Sequence, residues 1–414
     1  MHQPEITAVR KPRKVSLIPY LSLPFLAGLP LTVSATEWPQ WRGPARTGVV
    51  AASVAKSGTP SMEKIWEGEV GVGCASPVIS GGKLFTVGHE NGKDTVWCLD
   101  AATGKVAWRH DYDAELLPQN YDGGPAGTPT LDGGVLYTYS REGLVQALDA
   151  ATGKVKWKVD VTKTLGGKAP QWGYSSSPLV HGELVILDVG GPGASSVAFN
   201  KGTGAVVWKT GDDKAGYSSP VLFNAGGTPT VAMFNEYGLV LLEVTSGKPV
   251  ARHRWETSYG VNAATPVIVG DSIFISSGYG VGCAMLKYSG GKLEEVWRNK
   301  EMRNQFLSSV YKDGVIYGFD EKGTLKALDA ASGRVRWEEK TGAGQHGAVI
   351  ISGDLLILQY ERGQIVLAKA SGDRFDKVAE FAAVRPRSWV TPAVAGDVIY
   401  SRNNGGSLAA VRVK

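Results

Sequence analysis

A ten-residue sequence that recurs along the chain constrains its fold more than any other feature. Its closest copies are LDAATGKVAW at 99–108, LDAATGKVKW at 148–157 and LDAASGRVRW at 328–337, with looser copies at 199–208 and 242–250. Each copy predicts a strand, a tight turn with Thr or Ser before Gly, and a second strand that in most copies ends in Trp. The glycine is required because tight hairpin turns place one residue at positive φ. The repeat therefore predicts a fold built from many similar β-hairpins.

A second landmark gives the number of repeating units. A Ser/Thr-Pro pair opens the first strand of most units, and two units carry degenerate versions. The units begin at Ser76, Thr128, Ser177, Ser219, Thr265, Ser308, Gly347 and Thr391. Their spacing of 39 to 52 residues is typical of four-stranded propeller blades. We therefore expect an all-β fold, an eight-bladed β-propeller of four-stranded antiparallel blades.

The two ends of the chain are predicted to close this ring. Aromatic residues end the units, at Trp108, Trp157, Trp208, Trp255, Trp297, Trp337 and Phe381. We expect these rings to pack between neighbouring blades. The eighth unit stops after about three strands, whereas residues 62–68 (MEKIWEG) resemble an outer strand. We expect this N-terminal strand, with Ile65 and Trp66, to complete the C-terminal blade and so remove exposed sheet edges.

The first 35 residues are predicted to be an export signal. A basic segment ending at Lys14 precedes an apolar stretch, 15–31, and the small residues Val33-Ser34-Ala35, which are typical of a cleavage site. Three prolines interrupt the stretch, so we expect removal of the segment rather than a stable membrane span. No Cys follows it, so no lipid anchor is expected. The protein is therefore expected to be periplasmic or secreted.

The rest of the chain is predicted to have two parts. Residues 36–61 are expected to form an extended arm that lies on the domain and is held by Trp38 and Trp41, and residues 62–414 to form the propeller. The formal charge of +5 includes +3 from the first 35 residues, which leaves +2 for the remainder. A nearly neutral body gives no electrostatic basis for nucleic-acid binding. We expect a monomer.

The repeat resembles the β-propeller repeat named after pyrroloquinoline quinone (PQQ) enzymes, and the resemblance covers residues 62–414. Residues 38–44 (WPQWRGP) and 171–174 (QWGY) resemble secreted PQQ-like repeat proteins of environmental bacteria. The predicted architecture is also similar to BamB, the eight-bladed scaffold lipoprotein of the outer-membrane barrel-assembly machine. The resemblance is specific for the fold and weakly informative about function, because one fold hosts many functions.

The resemblance to PQQ dehydrogenases implies a quinone site that this sequence does not reproduce. In those enzymes a disulfide between adjacent cysteines covers the quinone, which stacks on a Trp and shares a Ca²⁺ with Glu, Asn and Asp side chains. Here Cys74, Cys98 and Cys283 are not adjacent, and no Glu/Asn/Asp set matches the calcium ligands. We expect free thiols, no cofactor and no metal site; PQQ with calcium is the alternative.

Other catalytic motifs are missing from the sequence. The histidines show no HxH or HExxH spacing, and there is no CxxC pair and no GxSxG elbow. The repeated Asp100, Asp149 and Asp329 are interpreted as turn residues, because Asp stabilises turns by bonding its own backbone. No catalytic residue is predicted.

The residues just before each inner strand are predicted to rim one mouth of the central channel. The candidate ligand-binding residues there are Tyr174, Tyr217, Asn262, Gln305, Gln345, His346, Arg387 and Trp389. Converging aromatic and amide groups offer stacking area and oriented donors. The alternative is a water-filled pore whose rim only satisfies backbone groups.

Two long connections, 111–127 and 162–174, are predicted to lie on the same face. Long loops on a rigid scaffold often carry recognition. Their candidate partner-contact residues are Leu116, Leu117, Tyr121 and Trp172.

Three functions remain open at this point. The leading hypothesis is an exported, non-catalytic propeller that acts as a binding or assembly scaffold in the cell envelope, with a protein or small ligand as partner. The second is a PQQ-dependent oxidoreductase, similar to alcohol dehydrogenases, that uses the central channel. The third is a binder of envelope carbohydrate or polymer.

Overall fold

The computed structural model describes residues 37–56, 58–119 and 121–414, and the predicted export signal lies outside them. The described residues form eight antiparallel four-stranded sheets, one of which gains a short parallel fifth strand. The predicted all-β, eight-bladed propeller is therefore confirmed. Among these residues no helix is long and apolar enough to cross a membrane.

Each blade runs from an inner strand at the channel to an outer strand at the rim. The strands of blades one to four are β3 (Val78–Ser80), β4 (Lys83–Glu90), β5 (Lys93–Asp100), β6 (Val106–Asp113); β7 (Thr130–Asp132), β8 (Val135–Tyr139), β9 (Leu144–Asp149), β10 (Val155–Asp160); β11 (Leu179–His181), β12 (Leu184–Gly191), β13 (Ala194–Asn200), β14 (Val206–Thr210); β15 (Val221–Ala225), β16 (Thr228–Phe234), β17 (Gly238–Glu243) and β18 (Pro249–Arg254).

The second half of the chain repeats this arrangement. The strands of blades five to eight are β19 (Val267–Val269), β20 (Ser272–Ser277), β21 (Gly282–Ser289), β22 (Lys292–Asn299); β23 (Val310–Lys312), β24 (Val315–Phe319), β25 (Thr324–Asp329), β26 (Val335–Lys340); β27 (Gly347–Ser352), β28 (Leu355–Tyr360), β29 (Gln364–Lys369), β30 (Lys377–Ala382); β31 (Ala393–Ala395), β32 (Val398–Arg402) and β33 (Ser407–Val413). The N-terminal region adds β1 (Val49–Val50) and β2 (Met62–Glu69), and the short helical segments are α1 (Val161–Leu165) and a 3-10 turn (Ser258–Gly260).

The ring closes as the sequence predicts. Strand β2 pairs antiparallel with β33, with Trp66 opposite Ala410, and so becomes the outer strand of blade eight. Arg402 strengthens this junction: its buried guanidinium donates to the backbone oxygens of Ala75, Val87 and Gly71 in blade one and in the segment leading to it. The first and last parts of the propeller are therefore joined by a shared sheet and by a buried side chain.

Strand burial follows the position in the blade. The middle strands β4 and β5 are buried over six consecutive residues, whereas the outer strand β6 is largely exposed and alternates in burial. Neighbouring blades cover both faces of the middle strands, so burial along these strands is continuous rather than alternating, and it includes polar residues such as Thr86 and Asp94. The core consists of the layers between blades.

The recurring Trp packs on the turn glycine of the next blade. Trp108 Nε1 donates to the Ala150 carbonyl at 3.0 Å, and a Cβ on Gly153 would lie 2.6 Å from the Trp108 ring. Four further interfaces repeat this contact, through Trp66–Gly104, Trp157–Gly204, Trp208–Gly247 and Trp297–Gly333. The expectation that these rings pack between blades is confirmed for these positions. The glycine thus serves two needs, a positive φ and room for an indole.

The repeated Asp shapes the same turn. Asp149 Oδ1 accepts hydrogen bonds from the backbone N–H and the hydroxyl of Thr152. Asp100 and Asp329 make the equivalent pairs of bonds. Their interpretation as turn residues is confirmed.

Trp255 and Phe381 lie outside the strand position of the recurring Trp, although Trp255 still packs between blades four and five, where its Nε1 donates to Ser277 Oγ at 3.1 Å. Ala251 occupies that position in blade four, with Trp255 beyond the end of β18, and Ala379 rather than Phe381 occupies it in blade seven. In neither case does the next blade have the longer turn of the ten-residue repeat. Blade five has a two-residue turn there, and the outer strand of blade eight comes from the N-terminal region. An indole at either place would have no turn to pack on.

A collar of hydroxyl groups links the inner strands. The backbone N–H of Ser76 donates to Thr128 Oγ1 at 3.1 Å, that of Thr128 to Ser177 Oγ at 3.0 Å, and that of Ser177 to Ser219 Oγ at 2.9 Å. The same bond joins blades five and six. The side-chain oxygen of the landmark Ser or Thr therefore accepts a hydrogen bond from a buried backbone N–H of the preceding blade. Without this bond the N–H would have no partner.

The cysteines are free, as predicted. Cys98 takes the place that Ala147, Ala198 and Ala327 hold in other blades, opposite the strand preceding it in its blade. Burial raises the pKa of the Cys98 thiol to about 11 and that of Cys283 to about 12. These thiols are therefore unreactive core residues near neutral pH.

The N-terminal arm runs through one end of the channel. We call the end at which the inner strands begin the upper mouth, and the end at which they finish the lower mouth. Trp38 pairs with Ile79 at the end of the inner strand of blade one, and β1 pairs parallel with Ile351 and Ser352 at the end of β27. The arm therefore lies at the lower mouth.

Replacing Gly153 by Ala tests the glycine–indole contact. The substitution forces Ala into a left-handed conformation, which costs about 1 kcal/mol, and drives its Cβ into Trp108, which adds about 1 to 3 kcal/mol. The matched control is Gly134→Ala, because Gly134 has a similar φ of 79° and nothing within 4 Å of a Cβ. Urea unfolding should show the larger loss for Gly153→Ala. Equal losses would show that the packing contact contributes nothing.

Candidate functional site

The upper mouth carries an aromatic cluster made by Phe306, His346 and Trp389. The loops before β23, β27 and β31 bring these residues together from blades six, seven and eight. The Phe306 ring lies 4.9 Å from His346 and 5.3 Å from Trp389, and the last two meet edge to face at 5.0 Å. His346 and Trp389 were predicted to rim this mouth, and the structure brings them into contact.

Glu361 holds the cluster in place. It lies in the turn between β28 and β29, and its carboxylate accepts from Trp389 Nε1 at 2.9 Å and from the backbone N–H of Gln345 at 2.6 Å. The longer bond from the backbone N–H of His346 is 3.3 Å. The Gln345 residue itself is exposed. A carboxylate with these donors orients the indole through its N–H rather than through a ring face.

Arg387 joins the cluster to a neighbouring loop. Its guanidinium lies 5.0 Å from the centre of the Trp389 ring and 3.4 Å from Asp122 Oδ1. Asp122 also accepts from Asn404 Nδ2 at 2.9 Å. The Asp122 carboxylate, in the loop before β7, therefore contacts two segments of blade eight, the loop before β31 and the turn after β32.

Burial lowers the pKa of His346 below its ordinary value. The nearby Glu361 carboxylate opposes the shift, and the positive charge of Arg387 adds to it. At neutral pH the imidazole is therefore uncharged, and it offers an aromatic edge and one donor rather than a cation.

Two predicted mouth residues are buried between blades, so their assignment to the rim is wrong. Tyr174 is 1% exposed; its hydroxyl donates to the Val189 carbonyl at 2.7 Å and its ring lies 4.8 Å from that of Tyr139. Asn262 is fully buried and donates to the Asn235 carbonyl at 2.8 Å. Tyr174 packs among apolar residues of blades two and three, and the Asn262 amide is held by the backbone of blade four, so neither side chain reaches the channel mouth.

Tyr217 and Gln305 are the remaining two residues that were predicted to line the upper mouth. Tyr217 is 9% exposed, and its ring is 5.9 Å from Trp172. Gln305 is half-buried and packs against the backbone of Gly278. Their ligand-binding role stays a prediction.

The two predicted partner loops are tied to each other and to blade two. The Tyr121 hydroxyl donates to the Trp172 carbonyl at 3.3 Å, and Arg141 Nη1 donates to the carbonyls of Leu116 and Leu117 at 2.8 Å each. The Arg141 guanidinium also lies 5.3 Å from the Tyr121 ring. Leu117 remains 38% exposed. These hydrogen bonds therefore fix the conformation of both loops and of the surface that they form.

A row of aromatic rings continues from these loops toward blade five. We call Trp172, Tyr217, Tyr259 and Tyr279 the aromatic row. Trp172 lies 6.2 Å from Tyr259, which lies 6.2 Å from Tyr279. Tyr259 is 72% exposed, with a positive φ of 62°. A large ring held outward by a left-handed backbone is typical of a contact residue.

Sequence reasoning missed several residues of the upper mouth: Phe306, Glu361, Asp122, Tyr259 and Tyr279. Glu361 and Tyr279 lie in turns between the second and third strands of their blades, and those turns end on the same face as the inner-strand starts. Because neighbouring strands in a blade run in opposite directions, the turns between second and third strands could have been assigned to the upper mouth from the sequence.

The residues present do not fit PQQ and calcium. Within the described residues no group of three or more His, Cys, Asp or Glu side chains converges, whereas Ca²⁺ takes six to eight oxygen ligands. Cys74, Cys98 and Cys283 are free, so no disulfide is available to cover a quinone. The upper mouth instead offers stacking surfaces, one oriented carboxylate and one guanidinium.

The lowered pKa of His346 predicts a pH effect on stability. The unfolded chain binds a proton near pH 6.5 and the folded chain resists it, so stability should fall as the pH drops below about 6.5. His346→Asn should lose less stability between about pH 7.5 and about pH 5 than the parent protein. Melting temperatures at both pH values measure this. The exposed His181→Asn is the control and should follow the parent; a His346 variant that also followed it would contradict the assignment.

The family model described as "Outer membrane protein assembly factor BamB" matches residues 46–125, 119–303 and 289–414. Among curated proteins, the outer membrane protein assembly factor BamB of Burkholderia pseudomallei (strain K96243) is 24% identical over 355 residues, covering 73% of this chain and 87% of that protein.

Solved structures show the same architecture. BamB from Moraxella catarrhalis superposes with a TM-score of 0.61 at 16% identity, covering 85% of this chain and 98% of that one. The quinohemoprotein alcohol dehydrogenase from Comamonas testosteroni gives 0.67 at 14% identity, covering 91% and 80%. At these identities the likeness shows a shared fold and does not choose between the two activities.

Proposed function

Because the chain belongs to the family of the outer membrane protein assembly factor BamB, we propose that it is an exported, non-catalytic scaffold that binds a protein partner during outer-membrane assembly. The observation that carries the proposal is the family match, which extends from residue 46 to the last residue. The curated relative from Burkholderia pseudomallei, which covers 73% of this chain, is named as an assembly factor. A periplasmic location follows from the same proposal.

The upper face supports partner binding better than catalysis. The exposed Leu117 and Tyr259 lie on loops that Arg141 and Trp172 hold in place. Rigid loops with exposed apolar and aromatic side chains lose little conformational entropy on binding, and aromatic residues are common among the strongest contributors to interfaces. The proposed contact surface is therefore Leu116, Leu117, Tyr121, Trp172 and Tyr259.

Introducing positive charge into this surface tests the proposal. The double variant Leu117→Arg/Tyr259→Arg should reduce capture of the partner from native envelopes at least about tenfold, because it buries unpaired charge in the interface. Cross-linking followed by mass spectrometry measures the amount and identity of the captured protein, which should be an outer-membrane assembly component.

The control is Val106→Arg, which changes an apolar residue on the outer strand of blade one whose exposure of 55% lies between those of Leu117 and Tyr259. It should capture the partner as the parent does. Unchanged capture by the double variant would refute this contact surface. Failure of the parent to capture any assembly component would refute the scaffold function itself.

The quinoprotein alternative is open to a direct test. Its support is the fold shared with a quinohemoprotein dehydrogenase. We expect the purified protein, mixed with PQQ and Ca²⁺, to retain no quinone absorbance after gel filtration and to reduce no dye with alcohols. Stoichiometric retention with dye reduction would replace the scaffold proposal by the enzymatic one. For the carbohydrate hypothesis, binding on a glycan array that is lost in Tyr259→Arg would be the supporting result.

A further inference from the structure

A cavity of about 780 Å³ opens at the lower mouth, between the N-terminal arm and the inner strands of blades four to seven. Its walls are mostly apolar and include Val49, Val50, Val267, Ile268 and Leu355. Two arginines of the arm, Arg42 and Arg46, also line it. This cavity is at the opposite end of the channel from the proposed partner surface.

Both guanidiniums are buried, each 3% exposed. Arg42 donates to the carbonyls of Thr47 and Ser309. Arg46 donates to the carbonyls of Ser177 and Pro178 at 3.1 and 2.8 Å, and to Gln40 Oε1 at 3.2 Å. Every one of these acceptors is neutral.

The two cations lack a negative partner in the part of the chain that the structure describes. Burial lowers the pKa of both to about 9, and the charge of Arg42 also lowers that of Arg46. Arg42 Nη1 and Arg46 Nε have no hydrogen-bond acceptor. Two adjacent buried cations with unused donors carry a desolvation cost that neutral carbonyls offset only in part.

We propose that this cavity binds an organic carboxylate, with its charged group at Arg42 and Arg46 and its apolar body against the wall of the cavity. A planar guanidinium matches a carboxylate in geometry, and its charge-assisted hydrogen bonds are stronger than those to neutral oxygens. The apolar wall selects a ligand with a hydrocarbon part over a small inorganic anion.

The exposed rim of the cavity is consistent with this ligand. Lys312 and Asp354 lie there as an ion pair of 2.5 Å. Because Lys312 compensates it, the Asp354 carboxylate adds little repulsion toward an entering anion. The net charge of the cavity remains positive through the two buried arginines.

A series of carboxylates on the purified protein tests the proposal. Hexanoate should bind more tightly than butanoate, and butanoate more tightly than acetate, by about fourfold for each methylene that the cavity buries. Hexanol, with the same tail and no charge, and inorganic phosphate, with charge and no tail, should bind at least about tenfold more weakly than hexanoate. Isothermal titration in a chloride-free buffer measures the dissociation constants.

Two variants locate the binding. Arg46→Gln should weaken hexanoate at least about tenfold by removing a charge-assisted pair. Ile268→Trp keeps both arginines and fills the cavity, so it should abolish binding even if the arginine variant folds poorly. Arg362→Gln removes the same charge from an exposed turn at the upper face and should bind as the parent does.

Three results would overturn the proposal. They are the failure of hexanoate to bind the parent, unchanged binding in Ile268→Trp, and phosphate binding as tightly as hexanoate. None of them bears on partner capture at the upper face, so the scaffold function stands or falls separately.

Discussion

The contact between the indole of one blade and the turn glycine of the next is the interaction on which the rest of the structure depends. A four-stranded blade has two apolar faces and cannot bury them alone, so its stability comes from its neighbours. The hydrogen bond from Trp108 Nε1 to Ala150 fixes the register of two blades, and the packing on Gly153 fixes their distance. Because the same contact recurs at five interfaces, it sets the register and distance of neighbouring blades around most of the ring.

Ring closure leaves two mouths with different properties. The upper mouth receives the long connections and the turns after the second strand, so it accumulates side chains such as Glu361 and Tyr259 that the blades do not need. The lower mouth has short turns, and the arm lies there. Eight inner strands each expose one edge to the channel, and unpaired edges are a liability. The arm covers part of these unpaired edges, because Trp38 pairs with Ile79 and the Gly48 carbonyl accepts from the backbone N–H of Ile351.

The eight blades and their closure were predictable because each follows from a pattern that recurs at a fixed spacing. The failures have one physical source, contacts between parts of the chain that no spacing relates. Trp255 carries the expected residue type, but whether an indole packs on a turn depends on the next blade. Tyr174 and His346 both precede inner strands, yet Tyr174 is buried in the core between two blades and His346 packs in the aromatic cluster of the upper mouth. The path of the arm had no repeat to reveal it, since Arg46 meets Pro178 and Arg42 meets Ser309 far along the chain.

Three of the four arginines that are buried in the described part of the chain lie where the repeat is interrupted; the fourth, Arg141, lies in a turn within blade two. Arg402 lies at the closure, and Arg42 and Arg46 lie in the arm, where ladder partners for backbone carbonyls run out. A guanidinium has five donors in a fixed plane, so one side chain satisfies carbonyls from separate segments. Arg402 makes three such bonds and a fourth to Thr86 Oγ1, and it does not line the cavity of the lower mouth, so its role is structural. Arg42 and Arg46 also bind carbonyls of separate segments, but unlike Arg402 they line a cavity. That difference is why we assign a ligand site to the two arginines of the arm and only a structural role to Arg402.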